Sequence, residues 1–103
     1  MANRISAEAR EARRIARRQA VTEATLRKLI AYTPGGGDRA LDYDAALLRA
    51  DEDPPFAKGD RVFHIETLNV GTVETWDAIK DIGNVLWDGA KFGSGQDGVA
   101  RLG

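Results

Sequence analysis

Gly59-Asp60-Arg61-Val62-Phe63-His64, then Gly71-Thr72-Val73, then Val85-Leu86-Trp87-Asp88-Gly89 is the stretch on which the fold turns. Lys58-Gly59-Asp60 reads as a turn into a strand. Around it, 61–65, 70–76 and 82–87 are rich in Val, Ile and aromatic residues and read as strands. Residues 77–81 and 88–91 are connections. Gly71 permits a sharp bend or bulge at a sheet corner. Phe92-Gly93-Ser94-Gly95-Gln96-Asp97-Gly98 reads as a glycine-rich loop, and 99–102 as a last short strand or turn. Four or five short strands within 56–103 predict a small barrel or curled sheet.

Upstream the periodicity is helical. Residues 6–32 are rich in Ala, Arg, Glu and Leu, with Ser6 as N-cap and Glu8 in the first turn, where the helix dipole favours a carboxylate. Thr33-Pro34-Gly35-Gly36-Gly37 stops that helix and supplies a hinge. At 3.6 residues per turn, Ile5, Ala9, Ala12, Ile15, Ala16, Leu26 and Ile30 form a broad apolar face. Arg10, Arg13, Arg14 and Arg17 lie opposite, followed by Arg18. Arg10–Arg14, Arg13–Arg17 and Arg14–Arg18 are like-charge i,i+4 pairs that oppose a free helix. Residues 38–50 predict a second, short helix, capped by Asp38 or Asp42. Asp51-Glu52-Asp53-Pro54-Pro55 is its linker.

The formal net charge of −1 hides a segregated layout. Residues 1–33 carry net +5, residues 34–55 net −4, and residues 56–103 net −2. Such asymmetry points to partners more strongly than the total does. With no Cys, thiol catalysis, disulfides and Cys-ligated zinc are excluded. Met1-Ala2-Asn3-Arg4 leads into charged sequence and not into an apolar leader, and no run spans a bilayer.

The string Phe56-x-x-Gly59-Asp60-Arg61-Val62-x-His64, Gly71-Thr72-Val73 and Val85-x-Trp87-Asp88-Gly89 resembles SH3-like small barrels of the Tudor and KOW kind. It is most similar to the C-terminal Tudor-like domain of UvrD/PcrA-type helicases, over residues 56–89. The resemblance implies a barrel that contacts RNA polymerase or other proteins.

The expected architecture is therefore α+β: a long N-terminal helix and a short second helix followed by a small SH3/Tudor-like β-barrel. Residues 1–33 form a basic amphipathic helical arm. Residues 34–55 form a glycine hinge, a short acidic helix and a proline linker, and 56–103 the barrel.

The basic face Arg10, Arg13, Arg14, Arg17 and Arg18 has three readings: phosphate neutralisation, docking on an acidic protein surface (the chain's own 38–53 included), and simple solvation. No aromatic residue interleaves the arginines, which argues against base stacking. If Val62 faces inward, Phe63 and Ile65 face outward and need cover. Leu41, Leu47 and Leu48 of the second helix supply it, or Phe63 and Ile65 join Trp76 in a partner groove. His64, the only His, is read as packed and hydrogen-bonded, with a pH switch as the alternative. Gly93-x-Gly95-x-x-Gly98 matches a dinucleotide fingerprint by letter, without the helix that must follow it. The acidic residues lack the spacing of a calcium loop, and Ser94 has no predictable acid–base partner.

The leading expectation is a non-enzymatic structural subunit, without cofactor, metal or small-molecule substrate. It docks through its barrel and basic arm into a larger protein assembly such as a phage capsid or connector, in the cytoplasm or in a virion and not at a membrane. The alternative is a nucleic-acid-associated regulator that holds DNA or RNA through residues 4–28 and transcription or repair machinery through the barrel. A third reading is an inhibitor that places its acidic stretch in a partner's nucleic-acid groove.

Overall fold

The computed structural model describes residues 5–26, 41–52 and 54–103. Helices α1 (Ala7–Leu26) and α2 (Tyr43–Arg49) precede five strands: β1 (Arg61–His64), β2 (Val70–Asp77), β3 (Ile82–Trp87), β4 (Ser94–Gln96) and β5 (Val99–Arg101). All pairings are antiparallel, in the order β4-β3-β2-β1-β5. The α+β class holds. The sheet is not closed: β4 and β5 are its two ends. The predicted triple-glycine hinge lies outside the described residues, as do Asp38 and the last residues of the expected first helix.

Local signals explain the helix starts. Ser6 Oγ accepts from Ala9 N at 3.1 Å, and Asp42 Oδ1 accepts from Ala45 N at 3.1 Å. Each side chain satisfies a backbone donor that its own helix cannot. The loop expected at 92–98 contains a strand instead. Ser94, Gly95 and Gln96 pair with Val85, Asn84 and Gly83. Such a strand carries no apolar alternation, so only its neighbour reveals it.

Adjacent residues of β1 are both buried, because both faces of the sheet are covered. Val62 belongs with Phe56, Val73, Val85 and Val99, flanked by Trp76 and Trp87. Phe63, on the other face, packs with Val70, Ala100 and Leu102 against Val21 and Ala24 of α1 and against Leu41 and Ala46. The expected outer patch is thereby corrected. Phe63 is 1% exposed, and Ile65 packs against the same cluster, while Trp76 lies with the opposite one. The cover comes from both helices. Leu48, expected to contribute, is 82% exposed.

Two tryptophans lie over two glycines. Gly71 pairs with Trp87, and Gly83 with Trp76, across β2 and β3. A Cβ at Gly83 would stand 2.5 Å from Trp76 Cε3 and closer still to the Thr75 carbonyl oxygen; one at Gly71 would stand 2.9 Å from Trp87 Cε3. The ladder slips between Val73 and Thr75, a bulge at Glu74 that bends β2.

The helix face that packs is not the alanine face. Ile15 is 43% exposed, and Ala12 and Ala16 are also exposed. Arg17, Val21 and Ala24 are buried, with Arg10, Arg13 and Ala20 half-buried beside them. Expected as an arm, α1 lies against β5 and α2 with its basic residues turned inward. The physical reason is the set of acceptors that the β2–β3 turn presents.

Candidate functional site

The junction between α1 and the β2–β3 turn is the most concentrated polar site among the described residues. Asp77 Oδ1 accepts from Ile79 N at 2.9 Å and Lys80 N at 3.2 Å, and Asp77 O accepts from Asp81 N at 2.7 Å. Asp81 sits in the left-handed region, φ 56°, which Asp tolerates better than most residues. The tight turn aims its carbonyls at α1. Ile79 O accepts from Ile5 N at 3.0 Å, Ala78 O from Arg10 Nη2 at 2.5 Å, and Asp81 O from Arg13 Nη1 at 2.7 Å.

Asp81 itself is fully buried. Its Oδ2 accepts from Arg17 Nη2 at 2.9 Å, and its Oδ1 from Trp76 Nε1 at 3.2 Å. Arg13 Nη1 adds a cation 3.6 Å from Oδ2. The Arg17 guanidinium carbon lies 5.0 Å from the Phe56 ring centre and 5.6 Å from that of Trp76. Those two rings meet edge to face at 4.6 Å. Arg17 is therefore held by a carboxylate and two aromatic faces, an arrangement in which removal of water strengthens both attractions. Its Nε has no hydrogen-bond partner.

The other basic residues close the junction. Arg14 pairs with Glu11 and reaches Asp51 Oδ1 at 2.6 Å. Arg18 donates to Leu47 O at 3.1 Å and lies 3.6 Å from Asp51 Oδ1. Arg14 and Arg18 thus meet Asp51 of the chain's own 38–53 stretch, whereas Arg10, Arg13 and Arg17 meet the β2–β3 turn. The Glu11 carboxyl is held below its ordinary range, chiefly by the hydrogen bond from Arg14. That bond and the one to Asp51 hold the Arg14 guanidinium above its own. A cleft of about 170 Å³ between α1 and residues 50–55 is lined by three arginines and four carboxylates, so it presents no net positive field.

Phe56 also lies beside a second buried guanidinium. Arg101 is 3% exposed, 5.8 Å from the Phe56 ring centre. It donates to Pro55 O at 3.1 Å and to Asp60 Oδ2, with Glu52 Oε2 at 3.5 Å. Burial lowers its pKa, against the attraction of Asp60. Neither Arg101 nor Asp81 stands out in the sequence. Asp81 is one of seven acidic residues in 56–103, and charge alone does not distinguish it. The usable signal is a turn aspartate five residues after a strand tryptophan.

His64 Nδ1 accepts from Glu66 N at 3.1 Å and Thr67 N at 3.3 Å, organising the turn after β1. Among the described residues no group of three or more His, Cys, Asp or Glu side chains is placed to hold a metal ion. No helix of the described residues is long and apolar enough to cross a membrane. Outward-facing apolar side chains include Phe92, 84% exposed before β4, and Leu48 on α2. No family model, no curated protein and no solved structure matches this chain.

Proposed function

We infer that the chain is a non-enzymatic structural subunit, an SH3/Tudor-like module that docks into a larger protein assembly. A virion capsid or connector is one setting for it, the cytoplasm another. Support for the barrel kinship comes from the β1–β4 meander, the return of β5 to β1, and the valine interior of Val62, Val73, Val85 and Val99.

One observation carries the preference for a protein partner over nucleic acid. Arg10, Arg13, Arg14, Arg17 and Arg18 each bond an acceptor within the same chain. Phosphates would have to displace those carbonyls and carboxylates. The helix thus braces a scaffold, and docking falls to outward side chains such as Phe92.

The test compares the full chain with Phe92→Ser in extract of the native source, by sedimentation. The expected result is co-sedimentation with a large complex, lost in the variant at unchanged thermal stability. A parallel salt titration against duplex DNA and RNA is expected to give no steep slope. A free chain that binds duplex with a slope corresponding to about three or more phosphates would replace this reading with the nucleic-acid regulator.

A further inference from the structure

We propose that the cleft between α1 and the residues just after α2 binds a small zwitterion, an α-amino acid of about alanine's size, with its carboxylate on Arg17 Nε and its ammonium towards Asp51. The proposal goes beyond the assembly reading and does not rest on it.

The first observation is a buried donor without a partner. Arg17 is 5% exposed, and its Nε makes no hydrogen bond. In a guanidinium the Nε–H and one Nη2–H point the same way, as the two prongs of a fork. Here the Nη2 prong meets Asp81 Oδ2 at 2.9 Å. Asp81 does not serve the Nε prong as well, because its Oδ1 takes the Trp76 indole N–H at 3.2 Å. Arg17 and Asp81 both line the cleft, so the second prong stands at its floor. A buried donor without an acceptor destabilises a site, and an oxygen placed in the cleft restores the bond.

The second observation is the size and lining of the space. At about 170 Å³ the cleft far exceeds the room that one water takes, about 10–15 Å³, and matches cavities of about 150 Å³ that hold benzene. Ala7, Ala50 and Pro55 give part of its wall no polar side chain, which suits an aliphatic body better than water.

The third is charge. Three guanidiniums and four carboxylates line the cleft. A simple anion there meets the carboxylates, and a simple cation meets the guanidiniums. A dipolar ion sets each end against its opposite. The acceptor for the ammonium is on the rim. Asp51, whose side chain is 60% exposed, gives Oδ1 to Arg14 at 2.6 Å and to Arg18 at 3.6 Å. Its Oδ2 takes part in neither pair.

The test uses the full-length chain, isotopically labelled, at neutral pH. The Nε–H resonance of Arg17, assigned through its bonded carbons, is followed by NMR as L-alanine is added. That resonance is expected to shift and to saturate at millimolar L-alanine, with binding about tenfold weaker in Asp51→Asn. Acetate and methylammonium, each carrying one end of the zwitterion, are expected to shift it far less at equal concentration. Three results would overturn the proposal. The first is no saturable shift, with magnetisation transfer to Arg17 Nε–H from water only, which makes the cleft a hydrated groove. The second is an equal response to acetate, which makes it a plain carboxylate site. The third is undiminished L-alanine binding in Asp51→Asn. If Asp51→Asn melts well below the parent chain, the comparison of L-alanine with acetate decides alone.

Discussion

Arg17 Nη2 stands 2.9 Å from Asp81 Oδ2 with both side chains in the interior, 5% and 0% exposed as residues. The two are 64 positions apart, and their pairing joins α1 to the sheet. A buried pair of this kind need not stabilise the fold relative to an apolar substitute, but removing one partner strands the other.

Asp81→Asn is therefore expected to cost about 3–5 kcal/mol, since it leaves Arg17 buried without a counterion. Urea unfolding followed by tryptophan fluorescence reads the loss, and Trp76, bonded to Asp81, reports the site directly. A cost below about 1 kcal/mol would mean that the pair is solvated in solution.

The Gly83–Trp76 contact yields a prediction with a built-in control. Gly83→Ala forces its methyl against Trp76 and the Thr75 carbonyl, and overpacking of this sort costs about 1–3 kcal/mol. Gly95→Ala, where a Cβ meets nothing within 4 Å, is expected to be neutral or slightly stabilising. Thermal melts of the two variants should separate clearly. Equal melting temperatures would mean that β2 and β3 are not so closely apposed.

Acid should weaken the fold through two exposed pairs. The hydrogen bond from Arg14 holds the Glu11 carboxyl, and that from Arg49 the Glu52 carboxyl, below the ordinary value of 4.5. A group with a depressed folded pKa contributes stability above its unfolded pKa and loses it as pH falls through the folded one. The urea midpoint is thus expected to decline below about pH 4.5. In the double variant Glu11→Gln, Glu52→Gln the decline should be shallower, and in high salt the two chains should converge. Identical pH profiles at low salt would show that these pairs contribute nothing.

Much of the chain is legible locally. Ser6 and Asp42 act as the caps their side chains suit, and β1, β2 and β3 stand where Val, Ile and aromatic residues cluster between turns. Strand β4 is hidden, because Ser94, Gly95 and Gln96 gain their strand character only from pairing with β3. Phe63 and Ile65 do lie on the side away from Val62, yet that outer face is itself a core, closed by α1 and α2.

By itself the sequence determined the succession of two helical segments and then strands β1, β2 and β3, the lack of any thiol and the segregation of charge. These follow from residue type and spacing of two or 3.6, which act within a few positions. Tertiary structure alone decided which face of α1 is buried. The alanine face offers little area, and the arginine face has no local acceptors beyond Glu11. Its acceptors are the carbonyls of 78–81 and the carboxylates of Asp51 and Asp81, brought within reach only when the sheet and the acidic linker fold. A charge pattern gives the strength of a helix's attraction to an acidic surface, and the fold gives the location of that surface, here inside the same chain.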